Sequence, residues 1–209
     1  MIKEEGIRAE LKKIYADKIN FFNKKAYYWQ NVRHATSEHY EVLKQIQLES
    51  ESRVLDIGCG TGKLFPIIAG LGENIKIVGL DMCKEMLKYA EKFPYPNLET
   101  IHSFCEEMPL ESNSIDVVFI NDTFPHFHNW NLALREIKRV LKNKGHLYLV
   151  HSNGSQEVNQ THRNIGPPVA NDLLPPLDKL VNTLENFSLK VKKACDTEQY
   201  LLICAHKGI

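Results

Sequence analysis

The run VLDIGCGTGKLF carries three glycines within five residues, Gly58, Gly60 and Gly62, directly after an apolar stretch. Glycine tolerates positive φ and leaves no side chain between the main chain and a ligand. A loop of this kind, between a strand that ends near Asp56 and a helix that begins near Thr61, predicts a site where a nucleotide-like molecule lies against the backbone.

Two carboxylates accompany that loop. Asp56 comes directly before the glycines, and Asp81 ends the next apolar run, roughly twenty residues on, where a carboxylate can accept hydrogen bonds from both ribose hydroxyls. An acid before the loop repels pyrophosphate but favours an ammonium group. A ligand that joins adenosine to an amino acid meets both conditions. S-adenosyl-L-methionine, which becomes S-adenosyl-L-homocysteine when it gives up its methyl group, is such a ligand.

The two common phosphate motifs do not fit the loop. A Walker loop needs glycine where Ile57 stands and Ser or Thr where Leu64 stands. The G-x-G-x-x-G fingerprint needs glycine where Lys63 stands. The misplaced third glycine therefore disfavours a nicotinamide oxidoreductase.

Predicted strands and helices, which must position these residues, alternate regularly along the chain. Short apolar runs are separated by predicted helices at about 61–70, 82–93 and 129–141, and the runs are RVLDIG, KIVGLD, LETIHSF, IDVVFIND and HLYLVHS. This alternation indicates a parallel sheet covered on both faces. After a helix around 177–185, the runs LKVKKAC and YLLICAHK predict a hairpin. The expected fold class is α/β: a doubly wound, mostly parallel seven-stranded sheet with an antiparallel C-terminal hairpin strand.

Length, charge and cysteine content limit the kinds of function that the chain can have. The chain has 209 residues, which suits one domain, and its 26 basic and 26 acidic residues cancel. The chain therefore has no net charge that would attract nucleic acid or an anionic membrane. No apolar run reaches the roughly 18 residues of a membrane span. Five widely spaced cysteines suit reduced thiols. We expect a cytoplasmic protein, a monomer or homodimer, with no nucleic acid or membrane partner.

Four runs stand together in a known order and spacing: VLDIGCGTGKL, VGLDMCKEMLKYA, EEMPLESNSIDVVFI and ALREIKRVLKNKGHLYLV. This series, over about 53–151, resembles the motifs of the class I S-adenosylmethionine-dependent methyltransferases. Four ordered motifs are more specific than any one of them. The resemblance implies a Rossmann-like fold, S-adenosylmethionine as cofactor and methyl transfer as the reaction.

The resemblance also implies a set of cofactor-binding residues that follow the strand ends: Asp56, Gly58, Cys59, Gly60, Gly62, Asp81, Met82, Phe104, Cys105, Glu106 and Asn121. In that family pattern the first acid lies near the methionine amino group, which the carbonyl of Asn121 also faces, and Met82 flanks the adenine. Phe104 stands where an aspartate usually receives the adenine amino group. Stacking or packing is therefore implied there, with the Cys105 amide and Glu106 as polar partners.

Histidines collect in the segments that follow strands four and five. His126, His128, His151 and His162 are placed on the ligand-facing side of the sheet. Three interpretations stay open: local hydrogen bonds, an acid/base or orienting role for His126 or His151, and a metal or metalloid held by His151, His162 and Glu157. We predict that His126 and His151 are catalytic, that His128 and His162 line the substrate pocket, and that no metal is bound.

The aromatic run FFNKKAYYW resembles the amino-terminal lid of small-molecule methyltransferases of the quinone-biosynthesis type, and the alternative is an amphipathic helix packed on the sheet. The lid interpretation places Tyr28 and Trp29 at the acceptor pocket. The expected organisation is a helical lid segment over 1–50 and a Rossmann-like methyltransferase domain over 51–209, in which 152–176 is an inserted acceptor-pocket loop.

The predicted function is methyl transfer by in-line displacement to a small-molecule acceptor. Positioning alone can lower such a barrier by about 7 to 11 kcal/mol, so a base is optional. NDTF replaces the usual base-methylating motif, which disfavours nucleic acid. Two alternatives remain: a sensor or scaffold that binds S-adenosylmethionine without transferring its methyl group, and a methyltransferase whose acceptor site holds a metal or metalloid through His151 and His162.

Overall fold

The computed structural model describes residues 2–31, 43 and 46–208. Within these residues seven strands form one sheet in the order β3-β2-β1-β4-β5-β7-β6. The strands are β1 (Arg53–Ile57), β2 (Lys76–Asp81), β3 (Leu98–His102), β4 (Ile115–Asn121), β5 (Leu141–His151), β6 (Leu189–Asp196) and β7 (Leu201–Lys207). The first five strands pair in parallel, and β7 is antiparallel to both β5 and β6. The predicted fold class is confirmed.

The helices cover both faces of this sheet. They are α1 (Ile2–Ile14), α2 (Ala16–Asn31), α3 (Phe65–Ala69), α4 (Lys84–Ala90), α5 (Trp130–Val140), α6 (Ser155–Ile165) and α7 (Leu177–Asn186). Neighbouring residues of the central strands alternate between two apolar cores, as Val117 and Val118 do, because side chains of a strand point to opposite faces. None of the helices in the described ranges is long and apolar enough to cross a membrane.

The amino-terminal helical segment contains two helices within the described residues. A break at Tyr15 separates α1 from α2, and α2 then lies across the beginning of α4. Phe22 and Ala26 of α2 pack against Cys83 and Met86 there. The run SEHYEVLKQIQL, whose sequence also predicts a helix, lies mostly outside the described residues.

The segment predicted as a loop over 152–176 needs a correction. Its first part is α6, which begins after Gly154 and is anchored by the Asp196 carboxylate through the amide and hydroxyl of Ser155. This helix buries none of its residues completely, and most of its side chains are polar. Its apolar periodicity is therefore too weak to read from the sequence.

Candidate functional site

The glycine-rich loop between β1 and α3 exposes bare main chain at one point. Gly58, Gly60 and Gly62 have φ angles of 69°, 55° and 83°, which other residues rarely adopt. A Cβ at Gly60 would meet no atom within 4 Å, and Gly60 borders two of the cavities beside the loop. A ligand can therefore approach the main chain closely at this residue.

The other two glycines allow close packing. A Cβ at Gly58 would lie 2.2 Å from the side chain of Thr123, and a Cβ at Gly62 would lie 2.8 Å from the ring of Phe65. Gly58 still borders all three cavities beside the loop, and Cys59 borders the largest of them. Gly62 borders none of the three cavities formed by the described residues. The structure thus does not bring Gly62 to the predicted cofactor contact, because this glycine faces the ring below the loop.

Three adjoining cavities lie along the carboxyl edge of the sheet. Their volumes are about 460, 90 and 50 Å³, and Gly58, Thr123 and His126 border all three. The largest lies between the glycine loop, α2 and α6, the middle one reaches Asp81, and the smallest reaches Phe104. An elongated ligand with three chemically different parts has a row of matching spaces here.

Asp81 is held in place by the main chain. Its two carboxylate oxygens accept hydrogen bonds from the amides of Gly60 and Cys83, both at 2.8 Å. A carboxylate offers about four acceptor sites, so these two bonds leave capacity for a ligand hydroxyl. Asp81 is therefore oriented toward the middle cavity before any ligand arrives.

Asp56 and Asp81 form an acidic pair below the loop. Burial, and next the charge of Asp81, raise the pKa of Asp56 from 3.8 to about 8. Burial also raises the pKa of Asp81, to about 6, against the amide hydrogen bonds that lower it. The raised pKa values show that the charged form of both carboxylates is disfavoured in this environment. A cation bound beside the two carboxylates would stabilise their charged form.

Asn121, at the end of β4, provides an unsatisfied acceptor. Its side-chain Oδ1 is buried and accepts no hydrogen bond from any residue that the structure describes. Its main-chain oxygen accepts a bond of 2.8 Å from the hydroxyl of Thr123. Buried acceptors are rarely left unpaired, and Asn121 is one of the residues that line the largest cavity. Its Oδ1 therefore suits a ligand donor such as an ammonium group.

The smallest cavity has an aromatic and apolar lining. Met82, Phe104 and Cys105 border it, and the ring of Tyr15 forms part of its wall. Tyr15 stacks on Phe104 with ring centroids 5.2 Å apart and an interplanar angle of 19°. A flat ligand ring would therefore meet aromatic surfaces and the thioether of Met82.

Glu106 also borders the smallest cavity, but one of its oxygens already has protein partners. Oε1 accepts a 2.6 Å hydrogen bond from the hydroxyl of Tyr15. It also accepts bonds from the amides of His128 and Asn129, at 3.1 and 3.2 Å. This oxygen ties the junction of α1 and α2 to the beginning of α5, a role that the sequence does not reveal.

Three of the four predicted histidines meet at the largest cavity. His126, His151 and His162 border it, and the rings of His126 and His162 lie 4.9 Å apart. His151 is buried at the end of β5, with Nδ1 3.6 Å from Asp122. His128 is exposed and borders none of the cavities in the described part of the chain, because it lies beyond the turn that carries His126.

The two adjacent lid residues have different surroundings. Trp29 borders the largest cavity and packs near Phe22, with ring centroids 5.7 Å apart. Tyr28 is 62% exposed and lies outside the cavity. Positions 22, 26 and 29 share one face of α2 at intervals of four and three residues, and position 28 does not. The structure therefore does not bring Tyr28 to the predicted pocket.

Sequence reasoning missed four residues at the site. Tyr15, Lys18, Thr123 and Asp172 contact it. Thr123 directly follows the predicted end of strand four, a position that could have marked it. The other three reach the site through contacts between residues 46 to 154 positions apart, and no local pattern marks them.

The alternative metal site is not assembled. Among the residues that the structure describes, no three His, Cys, Asp or Glu side chains are grouped so that they could hold a metal ion. Glu157 in particular is exposed on α6. The histidines are therefore better understood through their hydrogen bonds than as ligands.

Comparison with known proteins gives a consistent result. Residues 55–149 match the family model of a methyltransferase domain. A demethylmenaquinone methyltransferase of Chlorobaculum tepidum is 36% identical over 107 residues, which are 51% of this chain and 43% of that protein. A solved S-adenosylmethionine-dependent methyltransferase from Aquifex aeolicus is 26% identical, with a TM-score of 0.66 over 81% of this chain and 89% of that one.

Residues 55–149 are therefore a methyltransferase domain, and the relatives and structural neighbours support a class I S-adenosylmethionine-dependent methyltransferase. A chain from the complex of the Haloferax volcanii Trm112 methyltransferase activator with a methyltransferase has the same fold, with a TM-score of 0.73 at 18% identity over 92% of this chain and 99% of that one. This chain spans less than half the length of the Chlorobaculum tepidum protein.

The cofactor of this methyltransferase family fits the three cavities. The methionine part suits the largest cavity, because Asn121, with its unpaired side-chain oxygen, and Asp56 line this cavity and suit its ammonium group. A ribose suits the middle one beside Asp81, and an adenine suits the smallest one beside Phe104. The middle cavity shares Gly60 with the largest one and Asp81 with the smallest one, which is compatible with the order methionine, ribose and adenine in S-adenosylmethionine.

Proposed function

We propose that this protein transfers the methyl group of S-adenosylmethionine to a small-molecule acceptor that enters the largest cavity. The observation that carries the proposal is the row of three cavities, because the largest one exceeds what the methionine part requires and extends toward α2 and α6. The even balance of charge supports a small acceptor over nucleic acid. We further propose that the protein works in the cytoplasm, as a monomer or homodimer.

The lining of the largest cavity supports an aromatic or apolar acceptor. Phe21, Phe22 and Trp29 border it from α2, and Val158 and Ile165 border it from α6. Such walls exclude water from the reacting atoms, which helps a displacement at a methyl carbon. The demethylmenaquinone methyltransferases among the relatives act, by their name, on demethylmenaquinone, and a quinone agrees with this lining.

Different residues of the chain bind different parts of the cofactor and cover the site. Asp81 orients the sugar, and Asp56 with Asn121 holds the ammonium end, so that the methyl group faces the acceptor. The lid helices α1 and α2 cover the cavities through Tyr15 and Trp29. When bound, S-adenosylmethionine supplies an activated methyl group, and alignment of the acceptor then provides most of the rate.

A screen for S-adenosylhomocysteine release tests this function. Purified protein is incubated with S-adenosylmethionine and one of four probes: naphthohydroquinone, catechol, thiophenol or pyridine. We expect release above the acceptor-free rate with at least one aromatic probe. Tight cofactor binding without release from any probe would favour the sensor or scaffold alternative, although the open cavity argues against that alternative.

A further inference from the structure

A buried ion group lies beside the largest cavity, apart from the predicted cofactor contacts. Asp172, whose side chain is 9% exposed, accepts a hydrogen bond of 2.7 Å from Nζ of Lys18. Its second oxygen lies 2.8 Å from Nδ1 of His126. The three residues come from α2, from the turn after β4 and from the segment after α6. Only the folded chain brings them together.

The contact with Asp172 fixes the chemistry of the His126 ring. A carboxylate at Nδ1 favours the proton on that nitrogen, so in the neutral ring Nε2 carries the lone pair. His126 borders all three cavities, and these include the largest one, which the acceptor is proposed to enter. It also contacts Phe22 edge to face, with centroids 4.9 Å apart. His126 is thus a positioned base at the place of reaction.

We propose that His126 accepts a proton from the methyl acceptor, that Asp172 is the positioning residue which holds it in this role, and that the acceptor is therefore an aromatic or apolar molecule with a dissociable proton on the atom that is methylated. A phenol or hydroquinone hydroxyl has such a proton, and a pyridine nitrogen does not. This inference rests on the proposed function and narrows its acceptor class.

The step balances in atoms and charge. The acceptor atom forms a bond to the methyl carbon while the bond from that carbon to sulfur breaks and its electron pair returns to sulfur. The proton of the acceptor passes to Nε2 of His126. The positive charge that leaves sulfur reappears on the imidazolium, next to the carboxylate of Asp172.

The surroundings of His126 favour the neutral base before the reaction. Burial lowers its pKa from 6.5, while Asp172 raises it and His162 and Lys18 lower it. Burial tends to raise the pKa of Asp172, but the hydrogen bonds from His126 and Lys18 lower it below 3.8 overall. At neutral pH the ring is therefore uncharged and the carboxylate is charged, which is the state that a proton acceptor needs.

A purely structural role for Asp172 makes a different prediction. Asp172 could serve only to hold α2 in place through Lys18, and then Lys18→Met would reproduce every effect of Asp172→Asn. If Asp172 instead supports the base, the two variants act on His126 in opposite directions. Loss of the carboxylate lowers the pKa of His126, whereas loss of the ammonium raises it.

Histidine nitrogen NMR of the labelled protein with S-adenosylhomocysteine reads the ring directly, without an acceptor. For the wild type we expect a neutral His126 with its proton on Nδ1 at pH 7. We expect a lower titration midpoint in Asp172→Asn and a higher one in Lys18→Met. A proton on Nε2 in the wild type, or equal midpoints in the two variants, would overturn the inference.

Turnover with the probe that gives most release supplies the second readout. We expect Asp172→Asn to lower kcat by about 10²-fold, with an unchanged KM for the probe, and to move the acidic limb of the pH profile to lower pH. Asp172→Glu should restore part of the rate, and Lys18→Met should lose at least tenfold less than Asp172→Asn. Equal losses in Lys18→Met and Asp172→Asn would reduce Asp172 to a structural contact.

The probes separate the two proposals. Turnover of naphthohydroquinone, catechol or thiophenol with no turnover of pyridine supports the acceptor class, and a preference for pyridine would overturn it. If the wild type binds S-adenosylmethionine but releases product from no probe, the proposed function fails and the inference fails with it. An active enzyme with the proton on Nε2 would overturn the inference alone.

Discussion

The cofactor half of the site, proposed for S-adenosylmethionine, and the acceptor half, proposed for the methyl acceptor, are built in different ways. In the cofactor half, Asp56, Gly60 and Asp81 lie at the ends of the adjacent strands β1 and β2, within 26 residues of sequence. In the acceptor half, Lys18, His126 and Asp172 come from three distant segments. The cofactor half therefore depends on short-range geometry and on the sheet, whereas the acceptor half depends on how the lid and α6 pack above it.

The halves also differ in charge. The cofactor half contains two buried acids with raised pKa values, about 8 for Asp56 and about 6 for Asp81, and suits a cation. The acceptor half contains a histidine whose pKa burial lowers. Substitutions in the cofactor half should thus change cofactor affinity, and substitutions in the acceptor half should change turnover.

The largest expected effect is on turnover. His126→Gln removes the proposed base and should lower kcat by about 10²- to 10⁴-fold, because the glutamine amide cannot accept the proton. The affinity for S-adenosylmethionine should stay within about threefold, since the residues assigned to the methionine, ribose and adenine parts are unchanged. Steady-state kinetics measure kcat, and calorimetry measures the affinity for S-adenosylmethionine. A loss of affinity as large as the loss of kcat would contradict the separation of the two halves.

The next largest effect is on cofactor affinity. Asp81→Asn should weaken S-adenosylmethionine binding by about 1 to 3 kcal/mol, roughly 5- to 150-fold in Kd, because it removes a charged acceptor of the ribose hydroxyls. Asp116→Asn is the matched control, since Asp116 lies at the opposite end of β4 and pairs with Lys142. Calorimetry that finds equal Kd values for the two variants would contradict the assignment of Asp81.

The cofactor half of the site can largely be predicted from the sequence, whereas the acceptor half cannot. The glycine loop, Asp81 and the strand ends are predictable, because motif spacing is local and a parallel sheet aligns its carboxyl ends. The bond from Tyr15 to Glu106 and the group around Asp172 are not, since they join segments at least 46 residues apart. Gly62 and Tyr28 illustrate a second limit: their patterns fit the family, but the direction in which each residue faces decides its contacts.

The pH dependence of cofactor binding should be smaller, up to about tenfold per pH unit. Asp56 has a pKa of about 8 in the ligand-free protein and must ionise to pair with an ammonium group. Affinity should therefore rise from pH 6 toward 8, and it should fall at higher pH as the ammonium group of the ligand loses its proton. Calorimetry across this range measures the slope, and Asp56→Asn should remove it.

The same shift has a consequence for stability. Because the pKa of Asp56 is raised above its unfolded value, its contribution is fully present below about pH 4 and is lost as the pH rises through about 8. The melting temperature of the ligand-free protein should therefore fall over this range, and less so in Asp56→Asn. Parallel melting curves for the two proteins would count against the raised pKa.

The smallest effect is expected from a matched pair on the lid. Trp29→Ala should lower kcat/KM by about fivefold, the equivalent of about 1 kcal/mol of aromatic packing. Tyr28→Ala should leave it unchanged, because that side chain faces solvent. Kinetics with the most active probe measure both variants, and equal losses would show that α2 is oriented differently above the cavity.

The most direct measurement for the central claim is calorimetric titration of the ligand-free protein with S-adenosylmethionine at pH 7, in two buffers of different ionisation enthalpy. We predict one bound molecule per chain, release of protons as Asp56 ionises, and no competition from a nicotinamide dinucleotide. Absence of binding, or displacement of the bound molecule by the dinucleotide, would contradict a nucleoside with a cationic amino-acid tail lying across the glycine loop.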